Sequence, residues 1–368
     1  MGWERQEAVS LRVLTVLPPR ESYAEGHAGA IALLVSRMAQ PEDRITGKAI
    51  SGQALSGGHF VPLGLSGWPL SRRLKYGIAC LSVARGFKPD LIEVHNRPDL
   101  ALFLSRFARV RLILHNDPCS MRGAKTPAQR RHLAGRMLVC GVSRWVAERF
   151  LEGCGPLSVA IQPNCMDLAE VPEARPRQKT VLFVGRVVAD KGVDAFVRAW
   201  TTISSRYPEW TATLMGADRF GPDSPETPFL THLRPKAEQA GVRMAGYQPH
   251  DCILQAMAEA SIVVVPSRWP EPFGMTALEA MACGAAVIAS PVGALPDVVG
   301  DAALLAPPDE AGTLEDALCR LMDQAALRSE LGQKGRERAA MFGLEQARAQ
   351  LLELRQQALG FNRGSVAP

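Results

Sequence analysis

The sequence predicts an α/β protein built from two doubly wound domains. Short apolar runs, typical of buried strands, alternate along the whole chain with segments of helical periodicity. The alternation is interrupted at residues 171–179, which hold two prolines and three basic residues and therefore resemble a linker. The length of 368 residues also suits two domains, because single cores rarely grow past ~250–300 residues. Strands and helices alternating in this way predict parallel sheets with crossover helices.

In the first half, four apolar runs predict strands and two amphipathic patterns predict helices. Two of these strands end in a histidine, His95 and His115, and each histidine is followed by an asparagine. Ligands of doubly wound sheets bind at the carboxyl ends of strands, so both histidines are candidate site residues. The predicted strands are residues 11–17, 90–95, 111–115 and 138–143, and the predicted helices are residues 28–39 and 145–151.

The second half repeats the pattern after the linker. The boundary between the two domains is placed within the linker, giving a first domain at residues 1–172 and a second at residues 173–343. The predicted strands are residues 180–184, 211–215, 242–245, 261–265, 286–289 and 299–305. The predicted helices are residues 193–203, 229–240, 253–260, 276–283, 314–322 and 325–359, the last with a break near residues 341–343.

Charge is divided unevenly between the halves. Residues 1–170 carry 22 basic and 14 acidic side chains, a net charge of +8, whereas residues 171–368 carry 20 and 23, a net charge of −3. The two values give the net charge of +5 for the chain. The basic first half predicts an anionic partner there.

Composition excludes several classes of protein. With 47% hydrophobic and 21% charged residues, the chain is neither disordered nor fibrous. No uninterrupted run of 18 apolar residues predicts a transmembrane helix, and residues 1–10 do not resemble a signal peptide. The eight cysteines form no C-x-x-C pair, so we expect free, buried thiols in a reducing cytoplasm.

Two segments of the second half carry candidate chemistry. After the strand at residues 180–184, Gly185 allows a turn, and Arg186 and Lys191 provide two cations that suit a diphosphate. A charged surface turn is the alternative. In residues 266–284, a loop with Glu271 and Gly274 precedes a helix, whose N-terminus would attract an anion.

Glu279 is predicted in the first turn of that helix. An acid there normally stabilises the helix dipole, but the neighbouring residues 277, 278 and 280–282 are all apolar. A ribose hydroxyl ligand therefore explains this carboxylate better.

At this point the sequence resembles the retaining glycosyltransferases of family 4 (glycosyl transferases group 1), which have the GT-B fold. The resemblance is carried by residues 183–192, by Glu271-x7-Glu279 and by residues 289–299. It extends to residues 161–167 around Asn164, where Cys165 replaces the usual glycine. It implies two Rossmann-like domains facing a central cleft, with a C-terminal helix at residues 344–368 returning to the first domain.

The resemblance also implies roles for individual residues of the second domain. Arg186 and Lys191 would hold the donor diphosphate, Glu279 the nucleotide ribose, and Glu271 would face the donor sugar near the reacting carbon. The loop of Gly274, Met275 and Thr276 would contact donor sugar or phosphate, and the turn at Tyr247 would lie at the base.

In the first domain, the resemblance is less dense. Gly26 and Gly29 are both candidates for the glycine-rich loop near the donor phosphates, and the sequence does not decide between them. His115 resembles the family's histidine that faces the donor sugar, with His95 as its rival. Asn116 and Asp117 are candidates to orient His115 or to meet the acceptor.

No Asp-x-Asp occurs in the chain, so the manganese-diphosphate mode of other glycosyltransferases lacks its ligands. We therefore expect no metal and no cofactor, with cations and a helix N-terminus stabilising the leaving diphosphate.

The predicted function is sugar transfer from a UDP- or GDP-linked donor to a glycan or lipid-linked acceptor, in lipopolysaccharide or exopolysaccharide synthesis. The alternatives are a nucleotide-sugar epimerase of the same fold, a phosphorylase, and a non-catalytic nucleotide-sugar-binding protein. No nucleic-acid motif occurs, and only 6% of residues are aromatic.

Basic residues of the first domain predict contact with the acceptor or with an anionic membrane. Such a protein would be cytoplasmic, with possible peripheral contact on the inner face of the membrane. A solvated surface is the alternative. The residues concerned are Arg72, Arg73 and Lys75, beside Trp68, Leu70, Leu74 and Tyr76, and Arg122, Lys125, Arg130, Arg131, Arg136 and Arg144.

Overall fold

The computed structural model describes residues 11–64, 71–218 and 226–362. The chain divides into a first unit, residues 1–164 with 344–368, and a second unit, residues 165–343. The first division lies eight residues before the predicted boundary at residue 172. The reason is that Met166 already pairs with the end of the second unit, since its N–H donates to the carbonyl oxygen of Phe342 at 3.1 Å.

The first unit contains a seven-stranded parallel sheet with the strand order β3-β2-β1-β4-β5-β6-β7. The central strands β1, β4 and β5 are buried along their whole length, which explains their continuous apolar runs. The strands are β1 (Val13–Val16), β2 (Arg44–Gly47), β3 (His59–Pro62), β4 (Leu91–His95), β5 (Val110–Leu114), β6 (Leu138–Gly141) and β7 (Ala160–Ile161).

Among its described residues, the first unit also contains six α-helices. The last helix of the chain packs on the first sheet, where Ala358 contacts Val13 and Leu91. Most of the others have identifiable N-caps; Thr126, for example, forms a capping box with Gln129. The helices are α1 (Ala30–Met38), α2 (Arg72–Phe87), α3 (Pro98–Leu104), α4 (Pro127–Ala134), α5 (Arg144–Leu151) and α13 (Leu344–Gly360).

The second unit contains a six-stranded parallel sheet with the order β10-β9-β8-β11-β12-β13. Its core lies between this sheet and helices whose apolar faces include Phe196, Trp200 and Leu318. The strands are β8 (Gln178–Val184), β9 (Thr211–Met215), β10 (Val242–Gly246), β11 (Ala260–Val265), β12 (Ala286–Ala289) and β13 (Ala303–Leu305). The helices are α6 (Val193–Ile203), α7 (Pro228–Gln239), α8 (His250–Glu259), α9 (Met275–Ala282), α10 (Leu295–Val299), α11 (Thr313–Asp323) and α12 (Ala325–Ala340).

Most predicted elements are confirmed, including the helix break at residues 341–343, which separates α12 from α13. Two predictions are wrong in part. The predicted linker at residues 171–179 extends into β8, which begins at Gln178 and pairs with β11 from there. The predicted strand at residues 299–305 shrinks to β13, because α10 occupies residues up to Val299. The eight cysteines are free thiols as predicted, but the prediction that they are buried is wrong for Cys252, which is exposed, and for Cys119 and Cys319, which are half-buried.

Candidate functional site

The topology of the second unit indicates where a ligand binds. Strands β8 and β11 are neighbours in the centre of the sheet, and the strand order reverses between them. Ligands of open α/β sheets bind in the crevice outside the carboxyl ends of the strands at such a point. The loops that follow β8 and β11 carry Arg186, Lys191 and Glu271.

The loop after β8 presents two cations. Arg186 is exposed, and its guanidinium forms no hydrogen bond or ion pair within residues 11–64, 71–218 and 226–362. It follows Gly185, whose N–H donates to the carbonyl oxygen of Met215 on β9. The backbone before Arg186 is therefore fixed to β9, while its guanidinium remains available to bind an anion, as an anion-binding arginine requires.

Lys191 lies beside Glu271 rather than in open solvent. The Lys191 Nζ to Glu271 Oε1 distance is 2.5 Å, and the hydroxyl of Ser267 donates to the same oxygen at 2.6 Å. The side chains of Lys191 and Glu271 are only 24% and 12% exposed. The structure thus brings together two residues predicted from separate motifs, and it adds Ser267, which the sequence reasoning missed.

The two loops are also joined through their backbones. The N–H groups of Arg268 and Trp269 both donate to the carbonyl oxygen of Asp190, at 2.9 and 3.0 Å. The Arg268 guanidinium binds the carboxylates of Asp194 and Asp309, with shortest distances of 2.6 Å. Arg268 was not identified from the sequence, because a single arginine in a loop gives no signal of which loops it will join.

Gly192 lies where these loops cross, and its substitution gives a test of the crossing. Its φ is +68°, and an added Cβ would overlap the carbonyl oxygen of Pro266. Gly192→Ala is expected to lower the free energy of unfolding of the second unit by about 3 kcal/mol or more, from left-handed strain and overpacking. Gly241→Ala is the matched control, because Gly241 has φ +69° but no atom within 4 Å of the added Cβ.

The control should cost only about 1–2 kcal/mol. Denaturant unfolding measured for both variants checks the difference. Equal losses for Gly192→Ala and Gly241→Ala would mean that the two loops are not packed as described.

The predicted loop of Gly274, Met275 and Thr276 forms the N-terminus of α9. Gly274 is the N-cap with φ +103°, and a Cβ there would lie 2.6 Å from Leu295 Cδ2. The amides of Met275 and Thr276 belong to the first turn of the helix, where N–H groups have no partner within the helix. They form, with the positive end of the helix dipole, an arrangement suited to an anion or a sugar hydroxyl.

Glu279 is the fifth residue of α9, so the prediction that it lies in the first turn is wrong. The helix begins one residue earlier than predicted, at Met275. The carboxylate is 14% exposed, and its Oε1 lies 3.0 Å from the Nε2 of His250, at the start of α8. At this position Glu279 gains little from the helix dipole, which favours a ligand-binding interpretation of this carboxylate.

Tyr247 follows β10 and borders a cavity of about 360 Å³ at the carboxyl ends of β9 and β10. The residue is 54% exposed. Gly216, Ala245 and Gly246 also line the cavity, and the N–H of Gly216 donates to the carbonyl oxygen of Gly246 at 2.8 Å. A flat aromatic ring beside backbone groups suits a nucleobase.

In the first unit, the two candidate glycines have different environments. Gly26 is exposed, with φ +70° and no atom within 4 Å of an added Cβ. Gly29 is the N-cap of α1, and the carboxylate of Glu21 lies directly against it. Burial raises the pKa of Glu21, while the amides of Ala32 and Gly29 oppose this shift. Gly29 is therefore the candidate at a helix N-terminus, and this site is covered by the protein's own carboxylate.

His115 and His95, the two candidates for the histidine that faces the donor sugar, lie in contact with each other. Strands β4 and β5 are neighbours, and the His95 Nδ1 to His115 Nε2 distance is 2.8 Å. The Oδ1 of Asn96 accepts a hydrogen bond from the backbone N–H of His115 at 2.9 Å. Asp117, predicted as a possible partner, instead caps the helical turn at residues 118–120 and pairs with Arg149. Asn116 is exposed.

The predicted basic surface is confirmed only in part. Arg130 is buried and donates to four backbone carbonyl groups, and the buried Tyr76 donates its hydroxyl hydrogen to the carbonyl oxygen of Leu17 at 2.6 Å. Both residues are structural. Trp68 and Leu70 lie outside the described residues. The exposed residues are Arg72, Arg73, Leu74, Arg122, Lys125, Arg131, Arg136 and Arg144, and Lys75 is half-buried.

The described residues contain neither a metal-binding cluster nor a helix that could span a membrane. No group of three His, Cys, Asp or Glu side chains suited to a metal ion occurs in residues 11–64, 71–218 or 226–362. In the same residues, none of the helices combines the length and apolar character needed to cross a membrane. Metal-independent transfer stays a prediction.

Comparison with known proteins decides what the second unit is. Residues 167–338 match the model of a family described as glycosyl transferases group 1. The second unit carries a glycosyltransferase group 1 domain. The match begins three residues after the first division of the chain and ends within α12.

Curated relatives agree with this domain. The D-inositol 3-phosphate glycosyltransferase of Corynebacterium aurimucosum is 33% identical over 177 residues, which are 47% of this chain and 42% of that protein. An exopolysaccharide phosphotransferase of Streptomyces coelicolor is 28% identical over 209 residues, 55% of this chain and 21% of that protein. The chain therefore spans less than half the length of these relatives. The domain and the relatives support the prediction of a transferase enzyme.

Solved structures cover both units. HepE of Anabaena, solved in complex with UDP, has a TM-score of 0.76 and 20% identity, and the match covers 94% of this chain and 100% of HepE. Sucrose-phosphate synthase of Thermosynechococcus elongatus has a TM-score of 0.73 and 20% identity, with 95% and 99% covered. Together with the two parallel sheets, these matches confirm the predicted GT-B fold.

Proposed function

We propose that this protein is a retaining glycosyltransferase of family 4, which moves a sugar from a UDP- or GDP-linked donor to a glycan or lipid-linked acceptor. The observation that carries the proposal is the placement of Arg186, Lys191, Glu271 and Glu279 on the loops and helix at the carboxyl edge of the second sheet. In this proposal, Arg186 and Lys191 bind the donor diphosphate. Glu271 faces the donor sugar, and Glu279 binds the ribose.

The leaving group is the centre of the proposed mechanism. Arg186 and Lys191 supply two positive charges, and the N-terminus of α9 adds unpaired N–H groups. Preorganised charges of this kind stabilise the negative charge that develops on the departing diphosphate. The proposed reaction therefore uses no metal and no cofactor.

In the transfer step, the acceptor hydroxyl approaches the anomeric carbon on the face from which the diphosphate departs. The bond from the acceptor oxygen to the anomeric carbon forms as the bond to the phosphate oxygen breaks, and a phosphate oxygen takes the hydroxyl proton. Glu271 positions the sugar and supplies negative charge. Because Lys191 and Ser267 already bind its carboxylate, it is poorly placed to act as a covalent nucleophile.

The proposed pathway is lipopolysaccharide or exopolysaccharide synthesis. One relative is named for exopolysaccharide, and HepE has been solved with UDP and with UDP-glucose. We propose that the first unit meets the acceptor or an anionic membrane through the exposed Arg72 and Arg73 of α2, beside Leu74 and Ile78, which are 43% and 45% exposed. Flotation with phosphatidylglycerol vesicles, compared with neutral phosphatidylcholine, tests the membrane contact.

A donor screen tests the function. The protein is incubated with UDP- and GDP-sugars and with glycan acceptors, and the released nucleoside diphosphate and the anomeric configuration of the product are measured. We expect product with the configuration of the donor. Inversion would contradict the retaining mechanism, a changed donor sugar without acceptor would indicate an epimerase, and binding without turnover would indicate a non-catalytic protein.

A further inference from the structure

Arg268 joins three loops at the carboxyl edge of the second sheet. It lies in the loop after β11, and its guanidinium binds the carboxylate of Asp194 in the first turn of α6. It also binds the carboxylate of Asp309 in the loop after β13. Its Nη1 donates to the carbonyl oxygen of Ala189, in the loop after β8, at 2.8 Å. One side chain therefore links the loops that follow β8, β11 and β13.

The guanidinium of Arg268 uses every hydrogen that it can donate. Besides its bond to Ala189, Nη1 donates to Asp194 Oδ1 at 2.6 Å, and Nη2 donates to Asp194 Oδ2 at 2.9 Å. Nη2 also donates to Asp309 Oδ1 at 2.6 Å, and the Nε hydrogen is shared between the two oxygens of Asp309, at 2.9 and 2.8 Å. These contacts engage all five N–H groups of an arginine. Unlike Arg186, Arg268 therefore has none left for a donor phosphate.

The loops that Arg268 joins are those that carry Lys191 and Glu271. The backbone N–H groups of Arg268 and Trp269 donate to the carbonyl oxygen of Asp190. Arg268 thus binds both of the carbonyl groups directly before Lys191, one through its backbone and one through its side chain. Glu271 follows Arg268 by three residues in the same loop. The contact between Lys191 Nζ and Glu271 Oε1 therefore spans two loops whose relative position Arg268 fixes.

The charges of this cluster give the guanidinium one orientation. The side chain of Arg268 is 26% exposed, so most of it is enclosed by the loops that it joins. Hydrogen bonds from Arg268 hold the pKa of Asp309 below its usual range, so this carboxylate is ionised at neutral pH. Bidentate pairs between arginine and carboxylate have a fixed planar geometry, and Arg268 forms two of them. A lysine has a single nitrogen and cannot reproduce this arrangement.

We propose that Arg268 is a positioning residue of the donor site, which holds the ammonium group of Lys191 against the carboxylate of Glu271 through the loops that carry them. In this role Arg268 contacts neither donor nor acceptor and acts through Lys191. Asp194 and Asp309 fix its guanidinium in turn. The inference rests on the proposed function, which assigns Lys191 to the donor diphosphate.

Hydrogen exchange of the full chain tests the junction without using activity. The amide hydrogen of Trp269, bonded to Asp190, should exchange about 10-fold faster or more in Arg268→Gln than in the wild-type protein. Asp309→Ala should change the rate in the same direction, and it carries less risk to the fold because the Asp309 side chain is 60% exposed. Equal Trp269 exchange in the wild-type protein and in both variants would overturn the inference.

Glu310→Ala is the matched control for Asp309→Ala. Glu310 is the next residue along the chain, is exposed, and loses the same charge on substitution. In the part of the chain that the structure describes, its carboxylate forms no hydrogen bond or ion pair. Glu310→Ala should therefore leave Trp269 exchange and the rate of sugar transfer unchanged. An effect equal to that of Asp309→Ala would show that charge alone matters, and would count against the junction.

A double-mutant cycle supplies the second measurement. Arg268→Gln alone should lower kcat/KM for sugar transfer by about 10-fold or more, because Lys191 is no longer held in place. In Lys191→Met, the same substitution should lower kcat/KM by less than about 3-fold, because the group that it positions is already absent. A purely structural loss would give the same factor in both backgrounds, and that result would overturn the inference.

Two further results are informative. Arg268→Lys keeps the positive charge but not the five N–H groups, so we expect it to recover little of the lost kcat/KM. Full recovery in Arg268→Lys would overturn the inference. Faster Trp269 exchange in Arg268→Gln, in a protein whose wild-type form has no transferase activity, would instead overturn the proposed function.

Discussion

Replacing Lys191 with methionine is expected to lower kcat/KM for sugar transfer by about 10²–10³-fold. The substitution removes one of the two cations assigned to the diphosphate. It also leaves the carboxylate of Glu271 without its ion-pair partner, so a negative charge faces the anionic donor. Initial rates over a range of donor concentrations measure the loss.

A double substitution separates the two causes. Lys191→Met with Glu271→Gln removes the unpaired negative charge, so the donor KM should recover in part while kcat stays low. Lys179→Met is the matched control. Lys179 lies away from the site and pairs with Glu209, with 3.3 Å between its Nζ and Glu209 Oε1, and both side chains are about half exposed. A Lys191→Met enzyme with wild-type kcat/KM would exclude Lys191 from leaving-group stabilisation.

Replacing Arg355 with methionine is expected to lower the free energy of unfolding of the first unit by about 3–5 kcal/mol. Arg355 binds Asp43 and Glu93, whose side chains are 1% and 4% exposed. Without the arginine, Asp43 loses its ion pair with Arg355 and Glu93 keeps Arg111 as its charged partner, while both carboxylates stay almost fully buried. A chain of two units does not need to unfold in a single step, so hydrogen exchange of α13 and β4 is the appropriate measurement.

Arg348→Met is the control for this prediction. Arg348 lies on the same helix and is exposed, and among the described residues it donates only to the backbone carbonyl oxygen of Arg37. Its loss should therefore cost less than about 0.5 kcal/mol. Equal protection in Arg355→Met and Arg348→Met would contradict the role assigned to the buried network.

The same network gives a pH dependence. Burial alone would raise the pKa of Glu93, but Arg111 and Arg355 outweigh it and lower the pKa to about 2. The unfolded chain therefore binds this proton more readily than the folded one, and Glu93 contributes stability above about pH 4.5 that is lost as pH falls towards 2. In Arg355→Met, this loss should begin at a higher pH.

The sequence predicted best those elements whose signal is local. β11 and β12 are short runs of apolar residues buried on both faces, and such runs are readily recognised. The strands β2 and β3 have four residues each and mixed polarity, and α2 contains two glycines, so no local pattern identified them. The candidate site of the second unit could be predicted from the sequence because its residues follow the ends of predicted strands.

Partners from distant parts of the chain could not be predicted in the same way. Glu93 and Arg355 are 262 residues apart, and no local sequence pattern around either residue predicts their contact. His250 follows a proline and is half exposed, so only the packing of α8 beside α9 brings it to Glu279. The pairing of His95 with His115 depends on β4 and β5 being neighbours, which the strand pattern left open.

Titration calorimetry with UDP and with GDP tests the central claim, that the carboxyl edge of the second sheet binds a nucleoside-diphosphate donor. The wild-type protein should bind at least one of them, and Glu279→Ala should bind it about 10–100-fold more weakly, as expected for lost hydrogen bonds to a charged carboxylate. Asp316→Ala, at an exposed position on α11, should leave the Kd unchanged. No binding of either nucleotide by the wild-type protein, or an unchanged Kd in Glu279→Ala, would contradict the assigned donor site.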